Sequence, residues 1–332
     1  MHNLTICEVF IREILRVLAG FSRILSKIIG NLVWGRKTMK ITILLATILA
    51  VVSLLASMNA VFCWSNGGYS DDPSNPKYGT HDWIAQHALD WLPQQEKQYI
   101  LSNLAAYLYG AELPDNGQAP GGIGDTINHH VYYHADGSLQ EDNSADRAGK
   151  EYLNAANLYN GGDVAGAVKG LGIMTHYICD VAVFGHVMGS STDWGNEVHH
   201  GDYENYVNTR TDSYTDEFNT FLAFDGVLDH ISVYDATLII ANDTTFDLNG
   251  DLTCVWMDQN YDWNNPTFKN RAGESLNLAV NLVADVLHTF YVDVVVPEFP
   301  PITILPIFMI LATLAVLYAR KIRKLKTENQ TR

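Results

Sequence analysis

Two histidines and an aspartate interrupt an otherwise apolar segment at residues 176–186, which read "HYICDVAVFGH". On a helix, His176 and Asp180 are four residues apart and project from one face, so both can contact a single ion. His186 follows six residues later, after Gly185, where the chain can turn. Because a buried carboxylate without a partner is costly, this segment indicates a metal site.

Residues of the same chemical types recur on both sides of this segment. The stretch "HGDYE" repeats the four-residue spacing with His200 and Glu204. One such pair indicates little, since a lone histidine on an apolar helix is usually a hydrogen-bonded core residue. Two pairs together with the upstream residues predict a site for several ions, and imidazole and carboxylate ligands without thiolate favour zinc over manganese or iron. The upstream residues are His81, Asp115, His129, His130 and His134.

The elements that must position these residues read mainly as helices. Apolar residues recur at intervals of three and four over 80–93, 96–113, 144–162, 163–187 and 272–294, which is the period of an amphipathic helix. Glycine and Asn-Gly breaks separate them. Residues 210–270 are expected to be irregular, with one or two short helices. The predicted fold class is all-α, as a single-domain helical bundle.

The two ends of the chain differ in charge from its middle. Residues 64–297 hold 8 Lys and Arg against 33 Asp and Glu, which is 8 − 33 = −25. Residues 41–56 form an apolar run behind a basic flank, the pattern of a secretory signal, and cleavage after Cys63 is expected. Residues 302–319 are uncharged and precede "RKIRKLK", so they predict a transmembrane helix with a cytoplasmic tail.

This pattern predicts three parts: an N-terminal extension with a signal peptide (1–63), a domain (64–296), and a linker with a C-terminal anchor (297–332). The domain is expected on the cell surface, facing outward. Residues 1–38 either lie on a membrane surface or precede a true start at Met39, and we favour the second. Cys179 and Cys254 allow one disulfide, but buried thiols are favoured. The acidic surplus argues against a nucleic-acid partner, because binding to nucleic acid favours a surface rich in Lys and Arg.

The stretches "HYICDVAVFGH" and "HGDYENYVNT" resemble the signature of zinc-dependent bacterial phospholipase C and its relatives, the single-strand-specific zinc nucleases. The resemblance covers roughly residues 64–290. It implies one helical bundle around three zinc ions. It also implies which residues bind each ion: Asp115, His130, His176 and Asp180 the first; His186, His200 and Glu204 the second; and the amino end of a mature Trp64, with His81 and Asp180, the third.

Within "HHVYYHADG", we prefer His130 to His129 and His134 as the ligand, because it aligns with the histidine of the family. The resemblance implies hydrolysis of a phospholipid into a diacylglycerol-type lipid and a phosphorylated head group, with Asp115 accepting a proton from water. A choline cage is not expected, since Asn116 and Ile127 replace the family's aromatic residues. The alternatives are a nuclease or phosphomonoesterase with the same metals, and a non-catalytic surface protein stabilised by zinc.

Overall fold

The computed structural model describes residue 70 and residues 72–248, 250–296, 309–314 and 318. The N-terminal extension, the expected signal at 41–56, Trp64 and most of the expected anchor at 302–319 lie outside the described residues. Residues 309–314 are helical and their side chains are exposed. The described residues of the domain fall in one compact unit.

The domain is mainly helical, which confirms that part of the predicted fold class. The α-helices, in chain order, are α1 (Thr80–Trp91), α2 (Gln94–Leu101), α3 (Leu104–Glu112), α4 (Asn143–Asn160), α5 (Val164–Asp180), α6 (His200–Asn208), α7 (Val233–Phe246), α8 (Cys254–Gln259) and α9 (Pro266–Phe290). Two 3-10 turns lie at Phe184–His186 and Glu217–Phe221, and a π-helical turn, Tyr291–Val295, follows α9. A short antiparallel ribbon joins β1 (Tyr132–Tyr133) to β2 (Leu139–Glu141).

Helix α5 lies at the centre and packs most extensively against α3 and α4. Its last eleven residues, 170–180, are all buried, so this helix has no solvent-facing side over that stretch. Two glycines allow the close approach to α3. A Cβ atom on Gly172 would lie 2.0 Å from the carbonyl oxygen of Tyr107, and one on Gly110 would lie 2.2 Å from that of Lys169.

Helix α9 is the longest, with 25 residues, and it begins where the Asn265 side chain accepts a hydrogen bond from the amide of Thr267. Pro266 occupies the first turn, where a missing amide hydrogen costs nothing. Together with the π-helical turn, Pro266–Val295 is long and apolar enough to cross a membrane, but 67% of its most apolar window is buried inside the domain. A core helix of the bundle has the same properties.

The observed elements depart from the predicted ones at three places. The segment 96–113 breaks into α2 and α3, because Asn103 leaves the helical conformation. The predicted helix over 163–187 stops at Asp180, and His186 lies in a 3-10 turn. Residues 210–270 contain the 14-residue helix α7, capped by the Ser232 hydroxyl, which is longer than the short helices expected there.

Candidate metal centre

The first two functional side chains come from the buried end of α5. His176 and Asp180 lie one turn apart, and His176 Nε2 is 3.2 Å from Asp180 Oδ2, with neither side chain exposed. His176 Nδ1 lies 2.7 Å from the carbonyl oxygen of Ala111, at the end of α3. That oxygen can only accept, so Nδ1 carries the hydrogen and the lone pair of Nε2 faces the carboxylates.

Asp180 also contacts imidazoles from two other parts of the chain. His81, in the first turn of α1, places Nε2 3.4 Å from Asp180 Oδ1, and its ring stacks on His176 with centroids 3.9 Å apart. His129 places Nδ1 2.6 Å from Asp180 Oδ2. Its Nε2 donates to the carbonyl oxygen of Asp125 at 3.0 Å. One buried carboxylate therefore contacts three histidines.

A second group forms around Glu204 on α6. Its Oε1 lies 2.8 Å from His200 Nε2 and 3.3 Å from His186 Nε2. The two imidazole nitrogens are themselves 3.3 Å apart. Gly185 makes this arrangement possible, because a Cβ atom there would lie 2.4 Å from Cγ of His200.

The side chains form three sets, and within each set the ligand atoms lie within 4.8 Å of one another. The first two sets share His176, and the third is separate. The sets are His81, Asp115 and His176; His129, His176 and Asp180; and His186, His200 and Glu204. Asp115 enters through its Oδ1, which is 3.4 Å from His176 Nε2. Seven of the nine residues expected as ligands from the sequence are thus brought together: His81, Asp115, His176, Asp180, His186, His200 and Glu204.

The structure does not place His130 in any of these sets and brings in its neighbour His129 instead. The ring of His130 lies beside the second group, 5.1 Å from His186 between centroids. The expected preference for His130 over His129 therefore disagrees with the geometry. Trp64, the ninth expected ligand, lies outside the described residues.

The remaining histidines outside the centre have ordinary partners. His134 is 46% exposed and lies 3.5 Å from Asp193. The others pair with carboxylates elsewhere in the domain: His87 with Asp90, His199 with Asp258, His230 with Asp293, and His288 with Glu96. None of these five histidines belongs to a ligand set.

The electrostatics of the first group centre on Asp180. Burial opposes its ionised form, but His176 and His129 outweigh that and lower its pKa well below the usual range. Burial likewise opposes protonation of His176 and His129, and the Asp180 carboxylate reverses it and raises the pKa of both rings. Burial lowers the pKa of His81 to about 3. The Asp180 carboxylate is therefore stabilised by positive charge. Protonated histidines supply this charge when no metal ion is bound.

In the second group too, burial and neighbouring charges shift the pKa values of the side chains. Burial raises the pKa of Glu204 to about 7. Burial lowers the pKa of His186 well below its usual value. For His200, burial opposes the charged form, but Glu204 outweighs it and raises the pKa to about 10. A neutral imidazole and a carboxylate this close are ready ligands for a cation.

Several buried atoms in the centre lack a hydrogen-bond partner: both ring nitrogens of His81, His176 Nε2, His186 Nδ1, Asp180 Oδ1 and Glu204 Oε2. Bound ions would satisfy one nitrogen of His81, His176 Nε2 and the two carboxylate oxygens. Orphaned polar atoms of this kind are rare in folded proteins. The donors are imidazoles and carboxylates, and neither of the two described cysteines, the buried Cys179 and Cys254, belongs to a ligand set. The donor set therefore fits zinc.

The centre is open on one edge. The side chains of Asp115 and His200 are 23% and 13% exposed, while those of His81, His129, His176 and His186 are fully buried. Glu197, 29% exposed, lies on this edge with Oε1 3.6 Å from His200 Nδ1. In the sequence, Glu197 lies three residues before His200, and this spacing is the one local pattern that connects the two residues.

The comparisons with known proteins agree with this geometry. Residues 80–281 match the family described as zinc dependent phospholipase C. The chain belongs to this family. The match spans all eight residues of the three ligand sets, from His81 to Glu204. No curated protein matches the chain.

Among solved structures, the fold is similar to two clostridial toxins. The alpha toxin of Clostridium absonum aligns at 17% identity and a TM-score of 0.45, covering 70% of this chain and 68% of the toxin. An alpha-toxin of Clostridium perfringens from an avian strain aligns at 14% identity and a TM-score of 0.47, covering 68% of this chain and 65% of the toxin. The family match implies a hydrolase of phosphoester bonds that uses zinc.

Proposed function

We propose that the domain binds three zinc ions and hydrolyses a phospholipid in the manner of a phospholipase C, releasing a diacylglycerol-type lipid and a phosphorylated head group. The observation that carries the proposal is the presence of three ligand sets, two of which share His176, with a partly exposed ligand at Asp115. A purely structural zinc site leaves no open coordination position, whereas this centre has both accessible and buried ligands.

The ligands divide among the ions as follows. Asp115, His129, His176 and Asp180 hold the first ion, with His129 in place of the His130 expected from the sequence. His186, His200 and Glu204 hold the second. Bound zinc supplies Lewis acidity toward phosphoryl oxygens and lowers the pKa of a coordinated water to about 7.

The protein's own groups then orient and deprotonate the attacking water. Asp115 is the ligand carboxylate nearest the open edge, and it accepts the proton as water attacks phosphorus. The phosphorus–oxygen bond to the glycerol-type backbone breaks, and that oxygen leaves with the lipid as an alcohol after taking up a proton from solvent. Ala111, through His176, and Asp125, through His129, hold the two imidazoles in one orientation.

The third ion binds between His81, Asp180 and the amino end of a chain that begins at Trp64. His81 and Asp180 place two unpartnered atoms 3.4 Å apart, and two side chains alone do not complete the four ligands that zinc prefers. One extra residue in front of Trp64 should therefore remove one zinc per chain and most of the activity. Full zinc content in the extended protein would exclude chelation by the amino end.

Parallel assays of the purified, zinc-loaded protein test the proposed function. Phospholipid vesicles, single-stranded DNA and a phosphomonoester are offered at equal concentration, with zinc counted by metal analysis. We expect release of a phosphorylated head group from the vesicles, and little cleavage of DNA, because 64–297 carries a charge of −25 that repels a polyanion. DNA cleavage without lipid hydrolysis would favour the nuclease alternative, and zinc binding without any hydrolysis the structural one.

A further inference from the structure

Asp125 belongs to none of the three ligand sets, yet its backbone is bonded to two segments that carry ligands. Its amide donates to the carbonyl oxygen of Pro114, the residue before Asp115, at 2.6 Å. Its carbonyl oxygen accepts a hydrogen bond from His129 Nε2 at 3.0 Å. The backbone of one residue therefore links the turn that carries Asp115 to the ring of His129.

The Asp125 carboxylate closes the turn that leads to His129. Its Oδ1 accepts hydrogen bonds from the amides of Ile127 at 3.0 Å and Asn128 at 3.2 Å. Its Oδ2 accepts from the side-chain amide of Asn128 at 2.8 Å. An aspartate that accepts from amides two and three residues ahead is a typical turn former. These bonds fix the path of the chain over the residues just before His129.

Tyr177 joins this turn to helix α5. Its hydroxyl donates to Asp125 Oδ2 at 3.0 Å. The residue is fully buried, and its ring centroid lies 5.5 Å from those of both His176 and His129. Tyr177 directly follows His176 on the helix. The turn is therefore held to the element that supplies His176 and Asp180.

These contacts determine which nitrogen of His129 is available to an ion. A carbonyl oxygen only accepts, so Nε2 keeps its hydrogen, and Nδ1 is the nitrogen left for an ion, 2.6 Å from Asp180 Oδ2. His176 has the opposite arrangement, because its Nδ1 donates to the Ala111 carbonyl and its Nε2 faces the carboxylates. The two rings therefore offer different nitrogens to the centre.

We propose that Asp125 is a positioning residue of the metal centre, which presents His129 through Nδ1 and holds Asp115 and α5 in place for the first ion, together with Tyr177. The proposal rests on the zinc binding of the proposed function and deepens it. Partners of this kind around metal ligands typically contribute about 10- to 100-fold in metal affinity. A turn that only stabilised the fold would change the melting temperature and leave the zinc affinity of the folded protein unchanged.

The closing experiment starts from the zinc-loaded full chain and measures the transfer of zinc to a competing chelator. Asp125→Ala should weaken the binding of one ion by about 10- to 100-fold, while the remaining ions bind as in the wild type. Tyr177→Phe removes only the hydroxyl and should weaken the same ion by about two- to tenfold, the effect of one hydrogen bond. Asp125→Asn keeps an acceptor for the turn and should retain part of the affinity.

Two variants outside the centre are matched controls. Asp262 forms a turn of the same kind, since its Oδ1 accepts from the amide and the side chain of Asn264 at 2.9 and 3.2 Å. Asp262→Ala removes that turn. The Tyr234 hydroxyl donates to Asp142 Oδ2 at 2.6 Å, so Tyr234→Phe removes a tyrosine–aspartate bond like the one at Tyr177. Both controls should bind zinc with wild-type affinity.

Nuclear magnetic resonance tests the choice of nitrogen directly. In the isotope-labelled, zinc-loaded protein, long-range proton–nitrogen correlations distinguish a histidine bound through Nδ1 from one bound through Nε2. We expect a histidine bound through Nδ1 whose signal disappears in His129→Gln. The same signal should shift in Asp125→Ala and stay in place in Asp262→Ala.

Three results would overturn the proposal: zinc on Nε2 of His129 in the wild type, wild-type zinc affinity in Asp125→Ala and Tyr177→Phe alike, or equal losses in these variants and their controls. If Asp125→Ala does not fold, Tyr177→Phe and Asp125→Asn decide by the same criteria. The proposed function fails separately, when the wild type takes up no zinc or holds zinc and hydrolyses no phospholipid, and both are measured before any variant is compared.

Discussion

Asp115 differs from the other carboxylates of the centre in being both a ligand candidate and accessible to solvent. Its Oδ1 lies 3.4 Å from His176 Nε2, and 23% of its side chain is exposed. Asp180 and Glu204, by contrast, are fully or almost fully buried. The proton acceptor of the proposed reaction must reach a water molecule, so Asp115 is the carboxylate that geometry favours.

Asp115→Asn should lower kcat for a phosphodiester by at least about a hundredfold, the usual contribution of a general base. Asparagine keeps an oxygen donor of the same size but does not take up a proton. Most zinc should remain, since His129, His176 and Asp180 are unchanged. Turnover with a soluble phosphodiester and metal analysis of the same sample check both points, and wild-type turnover in the variant would exclude Asp115 as the base.

The choice between His129 and His130 shows where residue patterns stop being informative. On helices α5 and α6, the four-residue spacing alone places His176 with Asp180 and His200 with Glu204, because the helical period is fixed. His129 lies in a turn and His130 follows it, before strand β1. Which of them faces Asp180 depends on the path of the irregular segment between α3 and β1, and no local pattern encodes that path.

At the scale of elements, the centre depends on how closely α3 approaches α5. The contact at Gly172 and Tyr107 lets the end of α3 present the Ala111 carbonyl to His176 at 2.7 Å. Asp115 follows three residues after the end of α3. Separation of the two helices would move this carbonyl and this carboxylate away from the ligands on α5.

Gly172→Ala should therefore weaken both stability and metal binding. The added methyl group would lie 2.0 Å from the Tyr107 carbonyl oxygen, and overpacking of this kind costs about 1–3 kcal/mol. For a domain of this size that lowers the melting temperature by about 3–10 °C. Thermal unfolding and a competitive zinc titration measure the two effects.

Gly149→Ala, in α4, is the matched control. A Cβ atom there would meet nothing within 4 Å, and alanine favours a helix interior over glycine by up to about 1 kcal/mol. We expect unchanged zinc affinity and an equal or higher melting temperature. Equal losses in both variants would mean that the α3–α5 contact has no special part in metal binding.

The helices with the clearest apolar period were predictable, and those without it were not. α1, α4, α5 and α9 each overlap most of a predicted segment, because packing on one face imposes the period. α7 begins at Val233, after the capping residue Ser232, and its buried alanines and threonines are interspersed with polar residues, so its period is obscured. The break at Asn103 has neither proline nor glycine to mark it.

At the scale of the whole molecule, the metal centre buries several ionisable groups. The folded state is stable only if opposite charges compensate them. The first group alone places Asp180 against three imidazoles in a fully buried position. An ion bound only by the folded state stabilises it by about 4 kcal/mol when present at a thousand times its Kd. Metal binding is therefore expected to contribute a large part of the domain's stability.

Removal of zinc with a chelator should lower the melting temperature by at least about 10 °C, given 2–4 °C for each kcal/mol in a domain of this size. Readdition of zinc should restore it. Circular dichroism followed through a thermal ramp, with metal content measured before and after, provides the check. An unchanged melting temperature in demonstrably zinc-free protein would show that the folded domain does not depend on its ions.

The contact of the Asp180 carboxylate with three imidazoles also limits which substitutions position 180 can accept. A single nucleotide change in an aspartate codon yields Asn, Glu, Gly, Ala, Val, His or Tyr. Asparagine removes the negative charge, glutamate needs room for a further methylene in a site with no exposed surface, and the others remove the carboxylate altogether. Every one-step mutation at this position thus changes the charge, the length or the presence of the carboxylate on which all three histidine contacts depend.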